Sequence, residues 1–410
     1  MSDVEARQAP RRRLKLGVAG LGRAFTLMLP TLAADPRLEL VAAADPRTEA
    51  TRRLTSEFGA RAYASVEALC ADPSVEAVYI ATPHEQHAAH ATLAAAHGKH
   101  VLVEKPMAVT LEECARMIET AESAGVYLIV GHSHSFDRPI LRTREMIVSG
   151  SFGELRMINA QYYTDFLFRP RRPEELDTSR GGGVIFSQAA HQVDIVRLLA
   201  GGRARSVRAL TGAWDRTRPT EGAYAALLTF EEGPFASILY SGYAHFDADE
   251  LCGSIVETGQ PKDANAYGVA RRNLRRAAAF ADETSLKNAR NYGGFEYAAV
   301  RSPGAVRHQA WHEHFGLVVV SCDRADLRPL PNGVMIYGNE AAELEALPRP
   351  EVPRAEVVDE LFGAIVQGRR PVHDGRWSMA TLEVCLALLA SAREQREVTL
   401  RHQVGLGSLP

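Results

Sequence analysis

Lys105 stands between Glu104 and Pro106, directly after the apolar run His100-Val101-Leu102-Val103. A lysine fixed at the end of a buried strand can hydrogen-bond a substrate hydroxyl and, partly desolvated, serve as acid or base. The bland alternative is a stem lying along the strand end with its ammonium in water. A second candidate is GGGVIFSQAAHQVD, residues 181–194, where a glycine turn opens a helix and Ser187, His191 and Asp194 recur at i, i+4 and i+7. A histidine one turn from a carboxylate is either an oriented proton carrier or a core histidine held by Asp194. In FLFRPRR, residues 166–172, Arg169, Arg171 and Arg172 lie beside aromatic residues. Guanidinium pairs bidentately with carboxylate, so the three could seat a flat dianionic ring, or else pair on the surface with Glu174, Glu175 and Asp177.

A third pattern binds rather than reacts. The apolar run Leu14 to Ala19 leads into Gly20-Leu21-Gly22, then a stretch with Phe25, Met28, Leu29 and Leu32 at helical spacing, then a second apolar run, Leu38 to Ala44, closed by Asp45. This is a dinucleotide-binding βαβ unit: Gly20 allows the tight turn, and Gly22 lets a pyrophosphate approach the helix N-terminus. Gly20, Gly22, Arg23 and Ala24 are the expected phosphate contacts, and Asp45 is placed to accept the ribose hydroxyls. An acid there favours NAD over NADP, although Arg47 could still accommodate a 2′-phosphate. Phe25 stands where a third Gly or Ala is usual, so helix–strand packing must differ at that point.

Strands must hold these residues. Further apolar runs, Ala77–Ala81, His100–Val103 and Tyr127–Val130, alternate with helical stretches at 48–58, 85–97 and 111–124. That alternation predicts a doubly wound parallel sheet, with ligands beyond the carboxyl ends of its strands. Thr82, Pro83, Glu104 and Lys105 fall at that edge. After a helix at 138–149 strand-like runs dominate (Leu155–Tyr163, Val207–Trp214, Tyr224–Phe230, Phe235–Tyr240, Leu317–Val320), predicting an α+β second domain with a mainly antiparallel sheet open on one face. Residues 259–302, polar and Arg-rich, read as an insertion, partly helical around 269–290. The end, 376–400, reads as a helix and a short strand.

Bulk properties narrow the classes. At 410 residues two domains are expected, and a formal charge of −3 gives no hint of nucleic acid or membrane as partner. Residues 1–13 read as a disordered tail, and five scattered cysteines as free thiols of a cytoplasmic protein. Histidines group as His84/His87/His90, His132/His134 and His308/His312/His314. Of these only the last, with Glu313, is dense enough for zinc, and hydride transfer needs no metal, so none is expected.

GVAGLG, ATPHEQHAAHATLAAAHGKHVLVEKPMA and GGGVIFSQAAHQVDIVRLL together resemble the glucose–fructose oxidoreductase/inositol dehydrogenase/MocA family in order and spacing over residues 14–200. The resemblance implies a Rossmann domain (14–134) followed by an open-faced β-sheet domain (135–410), with the active site between them. Its EKP lysine falls on Lys105, its helix histidine on His191, and a position near the cofactor on His87. The family's aspartate four residues before the histidine is Ser187 here, which puts the usual proton relay in doubt. GHSHSFDRP, TDFLFRPRRPEELDT and SGYAHFD also resemble the phthalate 4,5-dihydrodiol dehydrogenase branch. That implies NAD-dependent oxidation of an anionic ring diol, 4,5-dihydro-4,5-dihydroxyphthalate, with His134 and Gln188 joining the arginines around substrate. A sugar or inositol dehydrogenase and a non-catalytic nicotinamide-binding sensor are the alternatives. The open sheet face suggests a homodimer or homotetramer.

Overall fold

The computed structural model describes residues 12–231, 233–263, 265–277, 282–297 and 310–406. Its contacts separate two units, the first within 1–132, 285–306 and 352–376, the second within 133–284, 307–351 and 377–410.

The first unit is built on six parallel strands: β1 (Leu14–Ala19), β2 (Leu38–Ala44), β3 (Arg61–Tyr63), β4 (Ala77–Ile80), β5 (His100–Val103) and β6 (Leu128–Val130). Their order is β3-β2-β1-β4-β5-β6, a doubly wound sheet with β1 at its centre. Strands β4, β5 and β6 are almost wholly buried, as continuous apolar runs covered on both faces must be. The connecting helices are α1 (Arg23–Ala34), α2 (Thr48–Phe58), α3 (Val66–Cys70), α4 (His87–Ala96) and α5 (Leu111–Ala124). Of the expected tail, residues 1–11 lie outside the described residues. Arg12 is tied down by an ion pair with Glu76, and Arg13 by a 2.8 Å bond to the Leu38 carbonyl.

The expected break at residue 134 is not the whole division, because the chain returns twice to the first unit. The helix Ala355–Gln367 follows Pro353, whose carbonyl accepts from the Thr31 hydroxyl at 2.7 Å, and its Asp359 pairs with buried Arg37 at 2.6 Å. In the second return the Tyr292 ring meets Phe25 edge-on at 5.2 Å, and its hydroxyl donates to Glu57. Phe25 therefore replaces the close glycine contact with an aromatic pair, worth about 0.5–1.5 kcal/mol beyond its buried area. The stretch 259–302 is thus shared between the units rather than being one insertion.

In the second unit, α6 (Arg138–Val148) precedes a nine-stranded sheet of β7 (Leu155–Tyr163), β8 (Ala204–Gly212), β9 (Ala223–Phe230), β10 (Phe235–Ser241), β11 (Leu317–Cys322), β12 (Ala325–Leu330), β13 (Gly333–Gly338), β14 (Ala342–Ala346) and β15 (Val398–Thr399). The order is β14-β13-β12-β11-β7-β10-β9-β8-β15, antiparallel throughout except for the parallel β7–β10 pair. Register sets Tyr162 opposite Tyr240 and Tyr240 opposite Tyr224, so three buried tyrosines cross the sheet in one row. The helix α7 (Ala190–Ala200) packs on that sheet. Strand β8 starts and ends earlier than the Val207–Trp214 run, and β12 to β14 add a meander to the expected strands. The helices α8 (Val269–Ala277) and Glu283–Arg290 occupy the stretch expected to be partly helical.

Candidate active-site groups in the two units

Gly20 has φ +90°, and a Cβ there would stand 2.7 Å from the Ala81 carbonyl oxygen. Only glycine fits between β1 and the end of β4. At Gly22, the N-cap of α1, a Cβ would meet nothing within 4 Å, so the backbone N–H groups of Arg23 and Ala24 stand behind open space. That open helix N-terminus fits a pyrophosphate. Asp45 follows β2 and accepts from the Leu21 amide at 2.6 Å and the Arg47 amide at 2.8 Å, which fixes its carboxylate. Arg47 is itself engaged by Asp45 at 3.1 Å, the Leu21 carbonyl at 2.7 Å and the Tyr292 carbonyl at 3.2 Å. A 2′-phosphate would have to displace those partners and then face the Asp45 carboxylate.

At the ends of β4 and β5, His87 is fully buried, its Nδ1 2.8 Å from the Pro106 carbonyl and its Nε2 2.9 Å from the Thr82 carbonyl. Burial pushes its pKa down to about 4, so the ring is neutral. It braces the Thr82-Pro83 turn against the Glu104-Lys105-Pro106 segment. Glu104 is buried and accepts from the Tyr79 hydroxyl at 2.5 Å, with its pKa raised by burial. Lys105 is half-buried beside it.

In the second unit a π-helical turn, Ile185–Ala189, runs into α7. Such turns interrupt the regular α spacing and are frequent at functional sites. Gly183 opens it at φ +78°, where a Cβ would collide with the Thr220 hydroxyl. Ser187 is half-buried and Gln188 buried within that turn. Of the expected Ser187–His191–Asp194 stripe, the aspartate has partners on other elements. Asp194 accepts from Trp377 Nε1 at 2.6 Å, from the Thr381 hydroxyl at 2.9 Å and from Ser135, and so anchors α7. His191 is buried, its ring centroid 4.8 Å from that of His134 and 4.9 Å from that of Phe315.

His134 is the electrostatic centre. Its Nδ1 is 2.7 Å from Asp137 and its Nε2 3.4 Å from Glu257. Burial opposes a charge on the ring, but the two carboxylates carry its pKa up to about 10, so it is cationic at neutral pH. Glu257 also influences Arg169: desolvation opposes the guanidinium charge, and Glu257 and Asp165 raise it. Side-chain Arg169 is 46% exposed, whereas Arg171 is 11% exposed. Arg169 is thus the more open of the two. Arg171 lies 3.5 Å over the Phe166 ring and donates to the Phe166 carbonyl, and burial brings its pKa down to about 10. Arg172 caps the turn Pro173–Leu176, its amide donating to Glu175 at 2.8 Å.

The histidine trio is dispersed. His308 lies outside the described residues, His312 bonds the Pro348 carbonyl, and His314 bonds that of Ile255. Glu313 instead brings a ligand atom within 4.8 Å of those of His134 and Asp137. A cationic imidazole with carboxylates at both nitrogens is a poor metal ligand, so the grouping reads as a hydrogen-bonded charge network. Asp137 was readable three residues after His134; Glu257 comes from a distant loop with no local signal.

The family described as "Oxidoreductase family, NAD-binding Rossmann fold" matches residues 14–132, and "GFO/IDH/MocA C-terminal domain" matches residues 140–256. This chain belongs to the Gfo/Idh/MocA family. It is an NAD-dependent oxidoreductase. Among Gfo/Idh/MocA proteins, a 1-carboxy-3-chloro-3,4-dihydroxycyclohexa-1,5-diene dehydrogenase of Comamonas testosteroni is 48% identical over 93% of this chain and 96% of its own. A dehydrogenase of known structure from Bordetella bronchiseptica RB50 is 41% identical, with a TM-score of 0.87 over 94% of this chain and all of its own. The WlbA dehydrogenase of Bordetella pertussis, crystallised with NADH and UDP-GlcNAcA, shares the fold at 21% identity, a TM-score of 0.66 and 95% and 99% coverage.

Proposed function

We propose that this enzyme oxidises a cyclohexadiene cis-diol carrying a ring carboxylate to the corresponding catechol, in aromatic catabolism. The observation that carries this reading is the partly exposed guanidinium of Arg169, which feels the charge of Glu257, the carboxylate bonded to His134. A partly exposed guanidinium suits an anionic ring, and a neutral polyol has no use for it. The relative from Comamonas testosteroni, named for a carboxylated dihydroxycyclohexadiene, supports the same class.

NAD, when bound, accepts the hydride from the carbinol carbon. In our reading Gly22, Arg23 and Ala24 bind its pyrophosphate through the backbone, Asp45 its ribose, and Thr82, Pro83 and Glu104 line the rest. Lys105 hydrogen-bonds the reacting hydroxyl, and His191 takes up the proton that leaves its oxygen. The hydroxy-enone formed first tautomerises to the catechol, and aromatisation supplies the driving force. A relay with Ser187 in place of a carboxylate then suffices. Gln188 and His134 border the ring.

Within the class, 4,5-dihydro-4,5-dihydroxyphthalate is the substrate we favour from the sequence motifs. A monocarboxylate is the second reading, favoured by the arginines: Arg169 is the most exposed, while the Arg171 guanidinium is committed to the Phe166 carbonyl and Glu175. The deciding experiment is the initial rate of NAD reduction with the phthalate 4,5-dihydrodiol, a benzoate dihydrodiol, an uncharged benzene dihydrodiol and myo-inositol. Turnover of carboxylated diols alone is expected. Equal turnover of the uncharged diol, or turnover of inositol only, overturns the proposal. Five free cysteines support a cytoplasmic setting, and the exposed Leu210, Leu227 and Phe235 of the open sheet support a homodimer or homotetramer. Among the described residues no helix is long and apolar enough to cross a membrane.

A further inference from the structure

The second unit contains a cavity of about 540 Å³ that none of the groups above uses. Its volume lies in the range of small-molecule pockets, roughly 300–1,000 Å³. Its walls are of two kinds, rings and guanidinium groups. Phe168, Phe246 and Tyr267 supply the rings, and Arg218, Arg271, Arg272 and Arg275 the cations.

The charges do not cancel. Arg218 is buried and spent on Glu283 at 2.8 Å. Each lining acid is also committed: Asp165 to Arg169 at 3.4 Å, Asp247 to Lys262, and Asp215 to the amide and hydroxyl of Thr217. The remaining three arginines, all on α8, have no carboxylate partner among the described residues. Arg271 donates to the Tyr243 carbonyl at 2.6 Å and Arg272 to the Tyr267 carbonyl at 2.5 Å, while Arg275 is exposed. Arg271 and Arg275 are one helical turn apart and stand on the same face. Phe246 and Tyr267 are 47% and 67% exposed, so the rings at the rim lack apolar cover.

We propose that this cavity is a second ligand site, for a small ring-bearing carboxylate. A carboxylate satisfies guanidinium groups that now have only carbonyl partners, and a flat ring covers the exposed aromatic faces; a bare phosphate does only the first. The site is joined to Arg169 and Arg171 through one short turn, Phe166–Phe168. Arg171 lies 3.5 Å over Phe166, and Arg271 lies 4.1 Å over Phe168, so a ligand that draws on Arg271 acts on the same turn that carries Arg169. Occupancy is therefore felt at the substrate arginine.

The test uses the full-length protein and phthalate as the probe, by titration calorimetry, with inorganic phosphate in a parallel arm. Arg169→Ala, made together with Asp165→Asn so that no unpaired carboxylate is left in the cavity wall, removes the reacting seat, and phthalate binding is expected to persist in the cavity. Adding R272A and R275A to that variant should weaken the remaining binding about tenfold or more, a charge-assisted contact being lost at each position. R272K and R275K keep the charge without the planar fork and should show a smaller loss. Tyr267→Ala, an exposed ring, should weaken phthalate and leave phosphate unchanged. Loss of all phthalate binding in the Arg169→Ala, Asp165→Asn variant, no effect of the α8 substitutions, or equal affinity for phosphate and phthalate each overturns the proposal. No turnover is needed for any arm, so the result stands apart from the proposed reaction.

Discussion

The Nδ1 of His134 lies 2.7 Å from the carboxylate of Asp137, three residues further on, with both side chains buried. The pair keeps the imidazole protonated up to about pH 10, whereas an unfolded histidine releases its proton near ~6.5. The folded pKa is the higher one, so the stabilisation is fully present below about 6.5 and fades as pH rises towards 10. Asp137→Asn should lower the His134 pKa, read by NMR of the ring protons. The gap in melting temperature between wild type and variant should be widest below about pH 6.5 and shrink above it. A constant gap from pH 6 to 10 would show that the pair is not a charged one.

Lys105 follows a strand buried from Val101 to Val103, and its neighbours Glu104 and Pro106 are buried, so the backbone around it is rigid. Lys105→Ala should lower kcat by about 10²–10⁴, as loss of a positioned proton donor does, while NADH binding measured by fluorescence changes little. His191→Asn should lower kcat as well and remove the acidic limb of the pH profile, since a base must be unprotonated to take up the proton. A variant of either residue with wild-type kcat would take it out of the reaction.

Two hydrogen bonds from the Leu21 and Arg47 amides orient Asp45. Asp45→Ala removes the ribose acceptor and releases Arg47 from its carboxylate. KM for NAD should rise roughly 10–100-fold, the scale of a charged hydrogen bond, while KM for NADP falls. Steady-state kinetics with both cofactors reads this directly, and an unchanged NAD/NADP ratio counts against the ribose role of Asp45.

How far these groups were legible depended on whether their cause was local. The βαβ unit at 14–45 announces itself because β1 and β2 are apolar on both faces and the turn needs Gly20. Strands β12 to β14 escaped because ADLRPL and AELEA are polar and partly exposed, and are specified by the ladder from β11 rather than by their own pattern. The helix Ala355–Gln367 is apolar at Val357, Val358, Leu361 and Phe362, yet its attachment to the first unit rests on Arg37 and Thr31, more than three hundred residues earlier. Among the candidate groups, His191 and Lys105 sit in motifs, and Asp137 is a short step from His134. Glu257 reaches His134 across 123 residues, which no local pattern reports. Among the arginines, Phe166 and Glu175 both claim the guanidinium of Arg171, which adjacency in sequence does not report.

That divergence gives the sharpest test of substrate recognition. Arg169 is the arginine left partly open, paired with Asp165 at 3.4 Å, so a ring carboxylate can compete for the guanidinium. Arg169→Ala should raise KM for the dihydrodiol roughly 10–100-fold with kcat reduced far less, the pattern of lost uniform binding. Arg172→Ala leaves the Glu175 cap to its backbone donor, and its KM should shift less than about threefold, within the range of a surface substitution. Arg171→Ala removes a cation stacked on Phe166 and should cost stability, about 0.5–2 kcal/mol, rather than affinity. Asp165→Asn frees Arg169 from its paired carboxylate and should lower KM for a carboxylated substrate. Equal KM increases in all three arginine variants would restore the single dianion seat, and with it the dicarboxylate as the better fit.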